Sequence, residues 1–408
     1  MKNRVVITGL GVNSLSGFGK EAFWNGLLNN ESKFTEIGED ILGEGYKGKC
    51  GILDKEKLQQ LENLYLSEEE KKYAGCSRLS LTTALMAIED SKLEAKLSEI
   101  PSSRIGVSVG TTHGDFNSLE NLNKKEGPVS YKRMHQEINH FDISASIARR
   151  INASGDVILH SDACASGNIA FAHAFEMIRS GRLDVVITGG VETESFSTEA
   201  GFISLKTVAL DEVRPFDVNR SGILLSAGCG MLVLENYESA IKRGARIYCE
   251  VLGQGQSSDA YSIAAMDSEA NGIIQAMENA VSEAGVKTDE VDYICLHGTG
   301  TLSNDACEML AIKKYFGEHA SKIFATSIKG TLGHSLGAAA AIELVACALS
   351  FETGTIPPNN NLKELDKNCV FNIPTKPLMI KPKVIMNNSY GFGGSNSCVI
   401  LKKMEKSA

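Results

Sequence analysis

Short runs of β-branched and apolar residues, separated by longer stretches with helical periodicity, constrain the fold of this chain more than any other feature. Several runs are continuously apolar, as the buried strands of a sheet covered on both faces are. Their alternation with helical patterns predicts an α/β protein with helices on both sheet faces. The predicted strands are Arg4–Thr8, Ile105–Val109, Val157–His160, Val185–Thr188, Met231–Leu234, Ile247–Leu252, Tyr293–Leu296, Ile323–Thr326, Val384–Met386 and Cys398–Leu401, and the clearest helices are Leu79–Ser91, Ile169–Arg179, Ile273–Glu283 and Ala338–Phe351.

The alternation occurs twice along the chain. In the first half an apolar strand runs into a helix through Val157-Ile-Leu-His-Ser-Asp-Ala-Cys-Ala-Ser-Gly, and Thr326-Ser-Ile-Lys-Gly-Thr-Leu-Gly-His-Ser-Leu-Gly repeats the pattern in the second half. Each half ends in a glycine-rich turn and an apolar strand. The charged stretch 236–246 is a plausible boundary, so we expect two similar halves, 1–240 and 241–408, that share one core. Residues 117–142 are polar, and we expect an irregular surface excursion there.

Composition narrows the possible functions. Among 408 residues, 41 Lys and Arg stand against 50 Asp and Glu, and the net charge of −9 disfavours a general binder of nucleic acid or anionic membranes. The ten cysteines include no CxxC pair and no zinc-site spacing, so we expect free thiols and no metal. The longest apolar stretch, 338–350, contains Glu343 and is too short to span a bilayer. The N-terminal apolar run is too short for a secretory signal, so we expect a cytoplasmic protein.

Cys164 is the first candidate for chemistry. It stands among small residues where an apolar strand ends and a helix begins. A helix N-terminus carries partial positive charge and free N–H groups, which lower the pKa of a thiol and bind an oxyanion. Position alone leaves two alternatives, a nucleophile or an inert buried cysteine.

Two histidines occupy comparable positions. His297 ends a strand and opens His-Gly-Thr-Gly-Thr, and His334 begins a helix in Gly-His-Ser-Leu-Gly. Strand ends and helix starts are where α/β proteins keep their sites, although a single histidine is more often structural. Lys329 lies in an otherwise apolar stretch and is either a site residue or a solvated lysine. Asp305 and Glu308 lie in the first turns of the helix after His297. They either interact favourably with the helix dipole or bind a metal together with His297, although the spacing of the three residues matches no recognised metal site.

A glycine-rich loop, 390–396, precedes the last strand and has neither the phosphate-loop nor the dinucleotide pattern. Together with this loop, the order of the preceding motifs resembles the β-ketoacyl-[acyl-carrier-protein] synthases, the elongating condensing enzymes of fatty acid and type II polyketide synthesis. The resemblance covers nearly the whole chain. The motifs are Cys164-Ala-Ser-Gly, Arg214-Pro-Phe-Asp, His297-Gly-Thr-Gly-Thr, Lys329 with Gly333-His-Ser-Leu-Gly-Ala-Ala, and Asn388-Ser-Tyr-Gly-Phe-Gly-Gly-Ser-Asn.

This resemblance implies the thiolase fold, in which two βαβαβαββ halves pack as α-β-α-β-α layers, usually in a dimer. It also implies a Cys-His-His site at Cys164, His297 and His334. Cys164 would accept an acyl chain as a thioester. A malonyl-carrier protein would then lose CO₂, and the resulting carbanion would attack that thioester and lengthen the chain by two carbons.

The resemblance assigns further roles. The backbone N–H groups of Cys164 and Phe392 would form the oxyanion hole, and Phe392 would be a gate. Lys329 would pair with Glu308 and orient the site. The residues expected to contact substrate are Thr299 and Thr301, which would bind the pantetheine arm, and His113, Asp305, Gly391 and Gly393.

The implied partner is an acyl carrier protein that delivers acyl and malonyl thioesters on its phosphopantetheine, without a tightly bound cofactor. The dimer would be a homodimer or a heterodimer with a homologous chain. Carrier proteins are acidic, so a basic docking patch is expected despite the net charge. Its candidates are Lys71, Lys72, Lys124, Lys125 and Arg214.

Several positions depart from the family pattern. Asp162 stands where Thr or Ser is usual, and a nearby carboxylate would raise the pKa of Cys164. Ser226-Ala-Gly-Cys-Gly, including Ala227, replaces a common acid-containing motif. His113 occupies a usually apolar position in the acyl pocket, which points to a short, polar or unsaturated acyl group. Ala264 replaces a usual Thr near the pantetheine entrance.

Three alternatives to a fatty acid synthase remain. One is the catalytic chain of a type II polyketide or polyene system that works with a cysteine-less homologue. Another is a non-catalytic heterodimer partner, which the intact Cys-His-His set disfavours. The third is a CoA-dependent thiolase, which usually has a second cysteine near the C-terminal glycine loop. Cys398 lies past that loop, within the last predicted strand, and does not fit this pattern.

Overall fold

The computed structural model describes residues 2–38, 47–126 and 139–405, with only the backbone at 125–126. All ten strands predicted from sequence are present, most of them longer than the apolar run that identified them. The strands are β1 Val5–Ser14, β2 Gly17–Phe18, β3 Thr35–Ile37, β4 Gly48–Cys50, β5 Ile105–Gly110, β6 Val157–His160, β7 Val185–Glu192, β8 Gly228–Asn236, β9 Cys249–Ser258, β10 Tyr293–Cys295, β11 Phe324–Thr326, β12 Thr355–Ile356, β13 Leu378–Met379, β14 Val384–Gly391 and β15 Ser395–Lys402.

The strand order repeats in the two halves. One hydrogen-bonded path runs β11-β10-β14-β15-β9-β1-β8-β7-β5-β6. The first half contributes β1, β5, β6, β7 and β8 to this path, and the second half contributes β9, β10, β11, β14 and β15. When the five strands of each half are numbered along the chain, both halves have the order third, second, fourth, fifth, first from the edge of the sheet to its centre. The two first strands, β1 and β9, meet antiparallel at the centre with Val5 opposite Val251. This shared order agrees with the duplication predicted from the sequence.

The helices divide into three layers. The described α-helices are α1 Lys20–Leu28, α2 Lys55–Tyr65, α3 Gly75–Ser91, α4 Phe116–Glu126, α5 Asp142–Arg150, α6 Ser166–Arg179, α7 Phe196–Ser204, α8 Tyr237–Lys242, α9 Asn271–Ala284, α10 Leu302–Phe316, α11 Lys329–Leu332 and α12 Ala339–Thr353. The helices α6 and α12 pack against strands of both halves, and α3 and α5 cover the outer face of the first half. The helix α9 covers that of the second half, where α10 shares the same apolar cluster. Three separate apolar clusters fill these interfaces, as expected for five alternating layers.

The central helices approach each other very closely. A Cβ at Gly167 of α6 would lie 2.9 Å from the carbonyl oxygen of Gly337 and 3.0 Å from the amide nitrogen of Ala341 in α12. The segment Leu336–Thr353 is long and apolar enough to cross a membrane, but 89% of it is buried inside the molecule. It is therefore accounted for as the core helix of the central layer.

The surface excursion expected at 117–142 is wrong at both ends. Residues Phe116–Glu126 form α4, and α5 begins at Asp142. Residues 127–138 lie outside the described part of the chain. The helix was missed because its mostly polar sequence gives a weak apolar pattern, with few buried positions to identify it.

Candidate active site

Cys164 lies in the tight turn between β6 and the central helix α6. The preceding residue, Ala163, has a φ of 50°, a left-handed conformation that is costly for a residue with a Cβ and typical of functional sites. The Cys164 side chain is 6% exposed. The hydroxyl of Ser389 in β14 donates to the Cys164 carbonyl at 3.0 Å, so the second half of the chain holds the nucleophile turn in place.

The pKa of the Cys164 thiol is raised to about 12, opposite to the direction expected at a helix N-terminus. Burial is the largest cause and the Glu192 carboxylate adds to it, whereas the positive charge of Lys329 and the backbone N–H groups of Cys164 and Phe392 act in the lowering direction. Among the largest causes the raising carboxylate is Glu192, and the expected Asp162 is not one of them. In this structure both backbone N–H groups interact with the sulfur of Cys164, and their role as an oxyanion hole, which must face the substrate oxygen, stays a prediction.

His297 and His334 lie side by side in this site, with ring centroids 5.4 Å apart. Burial, with the charge of Lys329 next, holds the pKa of both imidazoles well below 6.5, so both are neutral at pH 7. The backbone N–H of Leu336 donates to Nδ1 of His334 at 3.2 Å. Lys329 Nζ lies 3.5 Å from Nδ1 of His297. With Nδ1 accepting in each ring, the neutral imidazole carries its proton on Nε2 and can donate it in a hydrogen bond.

Lys329 is 1% exposed, which excludes the solvated lysine, and its ammonium is paired with the carboxylate of Glu343 in α12. The predicted pairing of Lys329 with Glu308 is wrong. Glu308 instead accepts the backbone N–H groups of His297 at 3.0 Å and of Gly298 at 2.8 Å, and the Asn388 side chain at 3.2 Å. Which acid faces Lys329 is decided by the packing of α12. Glu308 therefore fixes the loop that carries His297.

A cavity of about 140 Å³ connects these groups with solvent. Cys164, His297 and His334 form its buried end, while Ala264, Ser303 and Phe392 are exposed at its mouth. The remaining lining residues are Phe202, Thr207, Ile223, Met266, Thr299, Thr301, Asn304, Tyr390 and Gly391. The structure thus brings together the cysteine and both histidines.

The threonines expected to hold the pantetheine arm both line the cavity. Thr299 and Thr301 have hydroxyl oxygens 3.0 Å apart. Asp305 is not brought to the cavity: it is fully buried and accepts the backbone N–H groups of Gly300 at 3.1 Å and Phe216 at 2.8 Å. Glu308 and Asp305 therefore brace the His297 loop, and they do not converge on a metal site.

The expected gate is the turn of the β14–β15 hairpin. Phe392 is 40% exposed and stacks on Phe202 with ring centroids 5.7 Å apart. Gly393 follows at a φ of 84°, which favours glycine. A Cβ at Gly391 would lie 3.3 Å from the Cys164 nitrogen, so glycine allows the hairpin to approach the nucleophile. Gly391 lines the cavity, but Gly393 does not.

His113 does not line this cavity. Its Nδ1 lies 3.3 Å from Glu192, a fully buried carboxylate at the end of β7. Glu192 also accepts from the Thr111 hydroxyl and from the backbone of Thr112 and Gly337. Neither Glu192 nor the role of Glu343 was predicted from the sequence. A signal existed for each, because each is an acid within or directly after a strongly apolar segment, where an unpaired carboxylate is costly.

The sequence matches the models of a known protein family over most of its length. The model of the β-ketoacyl synthase N-terminal domain matches residues 2–240, and that of the C-terminal domain matches residues 248–363. The chain belongs to the β-ketoacyl synthase family. It is 33% identical over 424 residues to 3-oxoacyl-[acyl-carrier-protein] synthase 2 of Coxiella burnetii, covering 99% of each chain.

Solved ketosynthases share the whole fold. The ishigamide ketosynthase/chain length factor structure matches with a TM-score of 0.90 and 32% identity, over 99% of this chain and 100% of that one. A type II polyketide ketosynthase bound to its acyl-carrier protein and a hexaketide matches with a TM-score of 0.89 and 30% identity, with the same coverage. The predicted thiolase fold and the condensing acyltransferase class are confirmed.

Proposed function

We propose that this β-ketoacyl synthase transfers an acyl chain to Cys164 and condenses it with a malonyl group carried by acyl carrier protein. The observation that carries the proposal is that Cys164 and two neutral imidazoles line one cavity. In each imidazole Nδ1 accepts a hydrogen bond, from Lys329 in His297 and from the backbone of Leu336 in His334. That arrangement offers one nucleophile and two hydrogen-bond donors at the same place.

In the first half-reaction the sulfur of Cys164 attacks the carbonyl carbon of an acyl thioester. The backbone N–H groups of Cys164 and Phe392 stabilise the oxyanion that forms. The pantetheine thiol leaves with the proton that the Cys164 thiol loses, and the acyl group remains on Cys164. Because burial raises the pKa of the thiol, we expect this proton to leave as the bond forms. Thr299 and Thr301 line the path on which the pantetheine arm enters.

In the second half-reaction malonyl thioester loses CO₂, and charge accumulates on its carbonyl oxygen as an enolate. The Nε2–H groups of His297 and His334 donate hydrogen bonds to that oxygen. The enolate carbon attacks the acyl carbonyl, the Cys164 thiolate leaves and regains a proton, and the product is longer by two carbons. Loss of one such donor typically slows the reaction by about 10²–10³-fold.

The proposal extends to partners and location. A carrier protein delivers both thioesters on phosphopantetheine, as the acyl-carrier protein complex of a related ketosynthase suggests. Pairing with a homologous chain in a polyketide-type system is favoured over a homodimer by the likeness to a ketosynthase/chain length factor structure. The halves 1–240 and 241–408 act as one unit in the cytoplasm.

Intact-mass spectrometry tests the proposal. The wild type, Cys164→Ala and His334→Asn are exposed to a panel of acyl-carrier proteins and then to malonyl-carrier protein. We expect acylation of the wild type and His334→Asn but not of Cys164→Ala, and a product longer by two carbons from the wild type alone. Absence of acylation of the wild type, with and without a homologous partner chain, contradicts a catalytic role.

A further inference from the structure

A buried arginine outside the Cys-His-His set is bonded to a loop that lines the cavity. Arg220, in the first half of the chain, is 7% exposed. Its Nε donates to the carbonyl oxygen of Thr301 at 3.2 Å, and its Nη1 donates to the carboxylate of Asp366 at 2.8 Å. Thr301 lines the cavity and lies in the second half, directly before α10. The guanidinium therefore connects the first half with the loop 299–301, which carries both threonines of the cavity wall.

The segment that follows this arginine leads from the loop to the nucleophile. The backbone N–H of Gly222 donates to the carbonyl oxygen of Gly300 at 3.0 Å. Ile223, the next residue, lines the cavity and packs in one apolar cluster with Cys164. Four consecutive residues of the first half thus contact the loop at one end and the cysteine at the other. We call residues 220–223 the strap.

The strap and the loop are in close backbone contact. A Cβ at Gly300 would lie 3.0 Å from Cγ1 of Val213 and 3.1 Å from the carbonyl oxygen of Gly222. A Cβ at Gly222 would lie 2.2 Å from the carbonyl oxygen of Thr207, which also lines the cavity. Because the interior is packed without free space at these positions, the loop cannot move toward the first half unless the strap moves with it.

The carboxylate that pairs with the guanidinium is itself held in place. The backbone N–H of Asp366 donates to the carbonyl oxygen of Phe216 at 2.9 Å. Just before it, the backbone N–H groups of Lys363 and Glu364 donate to the carboxylate of Asp217 at 2.7 and 2.9 Å. The guanidinium also donates to the carbonyl oxygen of Asp217 at 2.9 Å. A planar guanidinium with five N–H groups can bridge these acceptors at once, whereas the ammonium of a lysine lacks that fixed geometry.

We propose that Arg220 is a positioning residue that fixes the threonine loop at the distance from Cys164 that acyl transfer requires. The inference rests on the proposed function, in which Thr299 and Thr301 line the path of the pantetheine arm. These threonines belong to the second half and Cys164 to the first, so the thioester meets the sulfur only if the loop is held in register with the cysteine. Arg220 is not among the residues that line the cavity, and it acts through the loop.

The experiment measures the rate of Cys164 acylation by an acyl-pantetheine thioester at increasing concentration, on the full chain and with its homologous partner if acylation requires one. The variant Arg220→Lys keeps the positive charge but loses the planar geometry. We expect the thioester concentration at half the maximal rate to rise by about tenfold or more, because the loop is no longer held in register. Alkylation of Cys164 by iodoacetamide needs no pantetheine contact, and its rate should stay within about twofold of the wild-type rate.

Two further variants separate positioning from a merely structural role. The matched control is Arg243→Lys, since Arg243 has an 11% exposed side chain that pairs with Glu235 and donates to the carbonyl oxygen of Ser91 at 2.9 Å. This control should lower Tm about as much as Arg220→Lys and leave acylation unchanged. In the double variant with Thr299→Ala and Thr301→Ala, adding Arg220→Lys should raise the half-maximal concentration by less than about twofold, because the hydroxyl groups that it positions are gone.

The outcomes separate failure of this inference from failure of the proposed function. An unchanged half-maximal concentration in Arg220→Lys, an equal rise in Arg243→Lys, alkylation slowed as much as acylation, or a full further rise without the threonine hydroxyls overturns the positioning role. If Arg220→Lys does not fold, Asp366→Asn replaces it: a smaller rise in the same direction supports the role, and wild-type behaviour overturns it. Absence of acylation of the wild type overturns the proposed function and this inference with it.

Discussion

The buried ion pair of Lys329 and Glu343 leads to a prediction that separates stability from catalysis. Both side chains are at most 2% exposed. Replacing Glu343 by Ala leaves the ammonium buried without its carboxylate, which typically costs about 3–5 kcal/mol. The unfolding entropy of 408 residues is roughly 0.9 kcal/mol/K at about 2.1 cal/mol/K per residue. We therefore expect Glu343→Ala to lower Tm by about 3–6 °C.

The same substitution should also slow decarboxylation. Without Glu343 the Lys329 ammonium is no longer held beside Nδ1 of His297, 3.5 Å away. His297 can then carry its proton on Nδ1 and lose the Nε2–H donor. Release of CO₂ from malonyl-carrier protein should fall by about 10²–10³-fold, the usual effect of one lost donor. Acylation of Cys164, measured by mass spectrometry, should fall less.

The double variant Lys329→Met/Glu343→Leu provides the decisive comparison. Apolar side chains often replace a buried ion pair without loss of stability, so Tm should return to near the wild-type value while decarboxylation stays slow. The matched control is Glu352→Ala on the same helix, where the carboxylate is 37% exposed and 3.6 Å from Arg246. This exposed pair should contribute less than about 1 kcal/mol. A Tm for Glu343→Ala within about 1 °C of the wild type, or a double variant as unstable as the single one, would refute the reasoning.

Three further predictions follow from the described geometry. Burial and Lys329 hold the pKa of His297 and His334 well below 6.5, so below that pH the unfolded chain binds more protons than the folded chain and the free energy of unfolding should fall. In urea titrations, the double variant with His297→Asn and His334→Asn should lose part of this acid sensitivity. An unchanged pH profile of the double variant would contradict the buried neutral imidazoles. Gly393→Ala should lower the free energy of unfolding by about 1–2 kcal/mol, because a φ of 84° is unfavourable for a residue with a Cβ even where the space around it is open. Thermal denaturation measures this loss of stability. An unchanged Tm would contradict the prediction and show that the turn changes its conformation. Asp162→Thr should change the rate of Cys164 alkylation by iodoacetamide by no more than about twofold, because Asp162 is not among the largest causes of the shift in the thiol pKa. A larger acceleration would assign Asp162 the role now given to Glu192.

The fold was predictable because its strands are local and strongly apolar. Runs such as Val157–His160 need no knowledge of their neighbours to be recognised, and that strand is observed with the same bounds. The polar helix Phe116–Glu126 has no such signal. Strand ends were missed for a similar reason: β1 continues from Thr8 to Ser14 through glycines, whose lack of a side chain hides them from an apolar pattern.

The site was predictable as a set of residues but not as a set of contacts. Cys164, His297 and His334 were identified by their motifs and share one cavity. The carboxylate partner of Lys329 was not, because the pairing depends on how α12 packs rather than on sequence spacing. The predicted lowering of the Cys164 pKa was also wrong, because burial raises it. The position of a residue at a helix start is visible in a sequence, whereas its depth of burial is not.

The close contact of the central helices has a consequence for how this chain can vary. The nucleophile belongs to one copy of the repeated unit and both imidazoles to the other, so neither copy is chemically complete. The helix that follows the nucleophile contacts the second half where Gly167 of α6 meets Ala341 of α12, with no room for even one added methyl group. The site therefore depends on how closely α6 and α12 pack where the two repeats of the strand order meet. A larger side chain at Gly167 would have to shift α6 against α12 and so disturb the site, although Gly167 is not among the residues that line the cavity.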